Sequence, residues 1–301
     1  PGKEIEIAVR KYEVPHRFSP ETLAQAAALP DKLRAADRRQ RIDLSDVPLV
    51  TIDDDDARDF DDAVWAEARP SGFRAIVAIA DVAHYVPSGG ALDRDARERG
   101  NSAYFPDRVV PMLPEALSNE LCSLKPGEDR PCLAAELIVA ADGEVTSHRI
   151  VRALMRSAAR LTYRQVQDWA DNGGAPDRLP IAELYRLYGV LRAAREARGA
   201  LDIELPERRV HLDADGHVLA ILPRPRYASH RLIEELMIAA NVAAAATLEA
   251  KGVAAMYRVH DQPAPAKVEA VRGVLKAFGL ALRRGQRLAA RDFNGLLHAV
   301  A

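Results

Sequence analysis

The apolar positions of the chain fall into short runs, typical of strands, and longer periodic stretches, typical of helices. Residues 49–53 and 74–82 are short and nearly continuously apolar, which predicts buried strands. Two segments, 137–149 and 209–222, carry an Asp-Gly pair between apolar stretches and predict β-hairpins. Residues 4–9 alternate between polar and apolar side chains, which predicts an edge strand.

Helices are predicted between these strands. Ser19 is a candidate N-cap for a first helix, and Thr162 with Gln165 forms a candidate capping box for another. Longer periodic stretches predict three further helices, over 181–198, 229–251 and 266–278. Because strands and helices mix without strict alternation, we predict one large α+β domain over 46–301, preceded by a lead-in over 1–45.

Composition narrows the class of protein. The 301 residues include 42 Lys and Arg against 44 Asp and Glu, a net charge of −2, which argues against a uniformly basic nucleic-acid binder but allows a basic channel balanced by an acidic site. No apolar run of about 18 residues exists, which excludes a membrane span. Only two cysteines, Cys122 and Cys132, are present. We therefore expect a reducing, cytoplasmic location. Residues 32–41 are strongly charged and predict a solvated connector.

The most unusual segment is 53–62, in which seven of ten residues are aspartate. Such a run can be a solvated loop, a set of ion pairs or a site for divalent cations, because like charges this close repel. An apolar strand before it and Phe60 within it favour the metal site over the solvated loop. In an extended chain Asp59 and Asp61 point to one side while Phe60 points to the other. Oxygen-only ligands suit a hard cation, Mg²⁺ or Mn²⁺.

A calcium-binding loop is excluded, whereas phosphoryl transfer and nucleic-acid binding stay open. Counted from Asp53, a calcium-binding EF-hand would need Gly at the position of Arg58 and Glu at that of Val64, so this motif fails. Carboxylate clusters that hold two hard cations commonly serve phosphoryl transfer. Tyr104 and Phe105 follow basic residues and could stack on nucleic-acid bases or lie in the core, and the residues alone favour neither.

Several motifs occur in a fixed order and resemble one known family. They are LVTIDDDDARDFDDAV at 49–64, VAIADVAHYV at 77–86, the segment 92–124, ARLTYRQV at 159–166, HRLIEELMIAANVAAA at 230–245 and YRVHDQP at 257–263. Together they resemble the RNB domain of ribonuclease II and ribonuclease R, and the ribonuclease R branch more closely. The resemblance implies a single large RNB-type domain of mixed, mainly antiparallel sheet packed with helices.

The resemblance also implies an activity and its metal-binding residues. It implies a 3′→5′ exoribonuclease that hydrolyses single-stranded RNA to nucleoside 5′-monophosphates with Mg²⁺, or Mn²⁺, as cofactor. Four catalytic aspartates are implied, Asp53, Asp59, Asp61 and Asp62. Of these, Asp53, Asp59 and Asp62 would bind metal and Asp61 would mainly orient the reaction, while the intervening aspartates would lie outside the ligand set.

Three residues are implied to contact RNA: Tyr104 stacking on the terminal base, and Tyr163 and Glu234 at the ribose. A second stacking aromatic is expected near Ile203, where the chain has none. An upstream cold-shock module and a later Arg-containing segment are also implied, so we expect this chain, acting as a monomer, to cleave weakly alone. Two alternatives stay open: a catalytically incomplete RNB-like regulator that binds RNA, and a metal-dependent phosphatase or DNA nuclease.

Overall fold

The helices lie around one large sheet. The computed structural model of the chain describes residues 3–201, 205–282 and 288–300. The helices in this part are α1 (Lys3–Lys11), α2 (Pro20–Ala27), α3 (Ala35–Arg39), α4 (Val82–Tyr85), α5 (Ala91–Arg99), α6 (Tyr163–Asn172), α7 (Ile181–Ala197), α8 (Ala228–Ala250), α9 (Pro265–Ala277) and α10 (Arg291–Val300), with one π-helical turn at Ala116–Leu121.

Seven strands form the main sheet. The strands are β1 (Ile42–Leu44), β2 (Val50–Asp53), β3 (Asp62–Arg69), β4 (Gly72–Ala80), β5 (Ala103–Tyr104), β6 (Val109–Val110), β7 (Asp129–Ala140), β8 (Val145–Arg156), β9 (Ala159–Thr162), β10 (Arg208–Leu212) and β11 (Val218–Pro223). The main sheet has the order β1-β8-β7-β4-β3-β2-β9, and β5-β6 and β10-β11 form two-stranded sheets. Only the two edge strands pair in parallel, β1 with β8 and β9 with β2, so the predicted mixed, mainly antiparallel α+β fold is confirmed.

The sheet is covered on both faces, and the side-chain alternation of β4 shows this directly. Phe73 and Val77 point into a core shared with α6, α7 and α8. Ile76 and Ala78 point into a second core, which includes Leu92 of α5 and the π-helical turn. Strands buried on both faces are nearly continuously apolar, which is why 74–82 has no polar alternation.

The predicted local signals for helix and hairpin ends are present. Ser19 accepts a hydrogen bond from the backbone N of Thr22, and Thr162 accepts one from that of Gln165. Both Asp-Gly hairpins form, as β7-β8 and β10-β11. Gly143, in the turn of the first hairpin, has a φ of +84°, and a Cβ there would lie 2.3 Å from the carbonyl oxygen of Val190. This turn therefore requires glycine for its backbone conformation and for its approach to α7.

Of two expectations for the first 45 residues, the edge strand is wrong, and the solvated connector holds except at its last residue. Residues 4–9 form part of helix α1 and not an edge strand, because Glu6 and Arg10 pair one turn apart and the charges of both ends complement the helix dipole. The end of the segment 32–41 is not solvated: the Arg41 guanidinium is buried and lies 2.6 Å from the buried carboxylate of Asp81.

Residues 42–44 of the predicted lead-in take part in the fold. Their strand, β1, lies at one edge of the main sheet. The predicted boundary near residue 46 stays a prediction. None of the helices in the described ranges combines the length and the apolar character needed to cross a bilayer.

Candidate active site

Three strands meet where the acidic segment begins and ends. Asp53 is the last residue of β2 and Asp62 the first of β3, and these neighbouring strands run antiparallel. Strand β9 runs parallel to β2 and pairs Thr162 with Asp53, so Tyr163 follows at the same end of the sheet. Two of the predicted metal ligands and one predicted RNA contact are therefore brought together by the strand ends.

The loop between β2 and β3 is held by distant arginines. The Arg160 guanidinium donates to the carbonyl oxygens of Asp54 and Asp55, at 2.7 and 2.8 Å. From the β10-β11 hairpin, Arg224 pairs with the Asp54 carboxylate and Arg209 with that of Asp56. Two of the aspartates predicted to lie outside the ligand set thus serve as partners for basic side chains.

Residues 59–61 alternate between the open side of the site and the protein core. Phe60 is buried in the core beneath the sheet, whereas Asp59 is half-buried and Asp61 is exposed. The backbone N of Ala80 donates to the carbonyl oxygen of Asp61 at 2.9 Å, which ties this segment to the end of β4. The anchored aromatic ring leaves the two carboxylates on the open side, as the extended-chain argument predicts.

The carboxylates repel one another and are poorly solvated. Burial raises the pKa of Asp53. The hydrogen bond from the backbone N of Asp54 lowers this pKa by less, and the charges of Asp54 and Asp59 raise it further. Burial raises the pKa of Asp61 to about 6, and the charges of Asp59 and Asp53 raise it too. Because the Asp61 side chain is exposed, we attribute its raised pKa mainly to the negative charges of Asp59 and Asp53. Burial raises the pKa of Asp62 to about 7, with Asp53 and Asp61 adding to it. These mutual effects show that the negative charges of Asp53, Asp59, Asp61 and Asp62 lie near one another.

The surroundings of one carboxylate oxygen of Asp62 indicate that this site could bind a cation. Among the described residues, Oδ2 of Asp62 is one of the few buried side-chain oxygens without a hydrogen-bond partner. An unpaired buried carboxylate oxygen is costly unless a cation or donor meets it. The donor set, all carboxylate oxygen and surrounded by like charge, is the chemistry that Mg²⁺ and Mn²⁺ prefer. In the chemistry of their donor atoms, Asp53, Asp59 and Asp62 therefore suit a hard divalent ion.

The quartet does not, however, converge to coordination distance. Within the described ranges, the only group of three acidic or histidine side chains with donor atoms all within 4.8 Å of one another is Asp213, Asp215 and His217. These three are exposed in the β10-β11 turn, where Oδ1 of Asp213 accepts hydrogen bonds from the backbone N of Asp215 and His217, each 2.9 Å long. Turn formation explains their closeness.

The three predicted RNA contacts differ in their surroundings. Tyr104 has 69% of its surface exposed, and its hydroxyl lies 3.5 Å from Oδ2 of Asp59, so an open aromatic ring stands beside the carboxylates. Tyr163 is stacked on His230, with ring centroids 4.0 Å apart. Burial raises the pKa of Tyr163, and the charges of Asp53 and Asp62 add to this, which places its hydroxyl near the acidic site.

Glu234 lies further along α8, in a groove of about 760 Å³ that it lines with Leu205, Glu207, Arg224 and His230. Its carboxylate is held by Arg195 at 3.3 Å and by Arg226 at 3.0 Å. His230 and Arg224 connect this groove with Tyr163 and the acidic loop. Ile203, the expected place of a second aromatic, lies outside the described residues.

Two residues of the site were not predicted as such: Arg160 and His230. Arg160 and His230 stand in motifs that the sequence analysis quotes, one on β9 and one at the start of α8. No local spacing marks them, because the residues that link them to the site lie far away along the chain: Asp54 and Asp55 for Arg160, and Tyr163 for His230.

Comparison with known proteins decides the family. A model of the RNB domain matches residues 41–296. The chain belongs to the RNB domain family. It is 41% identical over 307 residues to ribonuclease R of Vibrio cholerae and 42% identical over 308 residues to ribonuclease R of Escherichia coli, in both cases over the whole chain.

The fold agrees with this assignment. A structure of Mycoplasma genitalium RNase R in complex with ribose-methylated single-stranded RNA is similar with a TM-score of 0.92 at 27% identity, covering 98% of this chain and 47% of that one. The chain spans 37% and 38% of the length of the two curated relatives.

Proposed function

We propose that this chain carries the active site of a metal-dependent 3′→5′ exoribonuclease that acts on single-stranded RNA. The observation that carries the proposal is the buried, unpaired oxygen of Asp62 beside the negative charges of Asp53 and Asp61, with the open ring of Tyr104 next to Asp59. A cation site next to a stacking platform is the arrangement needed to hold a nucleic-acid end for hydrolysis.

The metal ligands in this proposal are Asp53, Asp59 and Asp62. Bound Mg²⁺ or Mn²⁺ would supply a water of lowered pKa and neutralise charge at the phosphate. The carboxylate of Asp61, which is exposed beside them, would orient the attacking water by hydrogen bonding. The hydrogen bond from the backbone N of Ala80 to the carbonyl oxygen of Asp61 fixes the chain at this position.

The RNA-binding part of the proposal concerns Tyr104, Tyr163 and Glu234. Stacking on an exposed aromatic ring contributes roughly 1–3 kcal/mol per base and requires an unpaired strand. The hydroxyl of Tyr163 and the carboxylate of Glu234 could hydrogen-bond a ribose 2′-OH, which DNA lacks. The groove at His230 and Glu234 has room for nucleotides behind the terminal one. The RNA complex of Mycoplasma RNase R supports this reading.

Two further statements belong to the proposal. We propose that the protein acts as a monomer and is cytoplasmic. The second is supported by Cys122 and Cys132, which are both buried free thiols. Burial raises the pKa of each thiol to about 12, so neither is a reactive thiolate.

The proposal is tested with 5′-labelled RNA and DNA of one sequence, with Mg²⁺ or with EDTA. The 301-residue chain and the complete gene product are assayed in parallel. We expect RNA, and not DNA, to shorten from its 3′ end only when Mg²⁺ is present, and more strongly with the complete product. Asp61→Asn should bind RNA nearly as well as the wild type while losing turnover.

Three results would contradict it. RNA binding without cleavage in either form would favour the regulatory alternative. Equal degradation of DNA would favour a general nuclease or phosphatase. An Asp61→Asn variant that cleaves normally, or no longer binds RNA, would show that the assignment of Asp61 is wrong.

A further inference from the structure

A single buried hydroxyl holds the backbone on both sides of Asp59. The Ser123 Oγ accepts a hydrogen bond from the backbone N of Phe60 at 3.0 Å and donates one to the carbonyl oxygen of Arg58 at 2.9 Å. Residues 54–61 belong to no strand or helix, so their backbone groups have no ladder partners. Such groups need other partners where they are buried.

Ser123 is itself fixed. It is fully buried, and the Arg130 guanidinium donates from Nε to its carbonyl oxygen at 2.9 Å. The next residue, Leu124, donates from its backbone N to the carbonyl oxygen of Phe60, also at 2.9 Å. Segment 123–124 therefore forms a rigid support along 58–60, with two of its three contacts made by the one hydroxyl.

The direction of the Asp59 carboxylate depends on this support. The side-chain hydrogen bond that the structure gives Asp59 is the long one from Tyr104, at 3.5 Å. A bond at this distance is weak. Because the described residues give it no strong side-chain partner, the orientation of the carboxylate follows from the backbone on either side of it.

We propose that Ser123 is a positioning residue that aims the Asp59 carboxylate at the metal site. The inference rests on the proposed function, because it assumes that Asp59 is a metal ligand. A hydroxyl suits this position because it can donate and accept at once. In Ser123→Ala the backbone N of Phe60 and the carbonyl oxygen of Arg58 both lose this partner. Only the bond from Leu124 to Phe60 then remains of the three contacts, so the backbone at Asp59 is held less firmly.

The test compares Ser123→Ala with Ser157→Ala. Ser157 is also buried and donates from its hydroxyl to the carbonyl oxygen of Ala159 at 3.1 Å. It lies near the start of β2, away from Asp53, since the adjacent Ala158 bonds to Leu49. Both substitutions remove a buried hydroxyl, but Ser157 bonds one backbone group and Ser123 bonds two, so both variants should lose unfolding temperature in EDTA and Ser123→Ala somewhat more.

The decisive readout is Mn²⁺ binding by the 301-residue chain, measured by electron paramagnetic resonance and calorimetry without RNA. We expect Ser123→Ala to weaken Mn²⁺ binding by about 10-fold to 100-fold, the usual effect of removing a residue that orients a ligand. Ser157→Ala should leave the affinity unchanged. If Ser123→Ala does not fold, Ser123→Cys replaces it, because sulfur fills the space but hydrogen-bonds weakly. Ser123→Cys should weaken Mn²⁺ binding by a smaller factor than Ser123→Ala would.

Different results would contradict the role of Ser123 and the proposed function. Unchanged Mn²⁺ affinity in Ser123→Ala or in its Cys replacement, or an equal loss in Ser157→Ala, would overturn the positioning role alone. A wild-type chain that binds no Mn²⁺ would overturn the proposed function, and the role of Ser123 with it.

Discussion

Replacing Asp62 by Asn should make the metal-free protein more stable at pH 8, although it removes a residue of the proposed site. Oδ2 of Asp62 is buried without a hydrogen-bond partner in the described structure, beside the charges of Asp53 and Asp61. Without a cation the ionised form is therefore unfavourable in the folded state. Asparagine is nearly the same size and carries no charge.

The sign and the size follow from the pKa. Burial, with the neighbouring charges, raises the pKa of Asp62 from 3.8 to about 7, so the folded protein binds this proton more tightly than the unfolded chain. The contribution to stability is fully present below about pH 4 and is lost as the pH rises to 7. The full difference corresponds to at most about 4 kcal/mol at pH 8. Because Asp53 and Asp61 share the protonation, we expect about half, ~2 kcal/mol.

The assay is urea unfolding in EDTA at pH 5 and pH 8. Asp62→Asn should exceed the wild type by ~2 kcal/mol at pH 8 and by clearly less at pH 5. Added Mn²⁺ should stabilise the wild type and not the variant. Asp55→Asn, in an exposed side chain of the same loop, is the matched control and should change little. A variant less stable than the wild type at pH 8, or a difference that is independent of pH, would refute the reasoning.

Three other changes have defined outcomes. Arg41→Met leaves the Asp81 carboxylate buried and unpaired, so urea unfolding should show a loss of about 3–5 kcal/mol, and a loss below about 1 kcal/mol would contradict the account. Gly143→Ala should lower the unfolding free energy by more than about 1 kcal/mol, because its Cβ would meet the Val190 carbonyl at positive φ; an unchanged midpoint would exclude this clash. Tyr104→Ala should raise KM for RNA strongly while Tyr104→Phe remains near the wild type, and equal defects would show that the hydroxyl and not ring stacking matters.

Local patterns explain what could be predicted from the sequence. Strand β2 and its acidic exit are predictable because an apolar run followed directly by charge needs no knowledge of the rest of the chain. The N-caps at Ser19 and Thr162 and the two Asp-Gly hairpins are predictable for the same reason. In α1 the local pattern was ambiguous: alternation suggested a strand, whereas the pairing of Glu6 with Arg10 favours a helix.

Long-range pairing explains what could not be predicted. Arg41 looked like part of a charged connector, but its partner Asp81 lies 40 residues away and both are buried. The hydroxyl of Ser123 meets Phe60 across 63 positions. The family resemblance supplied the four aspartates as a set, while their burial and the unpaired oxygen of Asp62 became visible only in three dimensions.

The arginines of the β10-β11 hairpin have a consequence for biosynthesis. Arg209 and Arg224 meet Asp56 and Asp54 across 153 and 170 positions of the chain. At translation rates of about 5–20 residues per second, the acidic loop emerges from the ribosome roughly 8 to 34 seconds before these counter-charges. During that interval, ions of the surrounding medium must screen its self-repulsion. The nascent chain therefore acquires its most highly charged loop early and neutralises it late, so ionic strength should affect the yield of folded protein more during synthesis than afterwards.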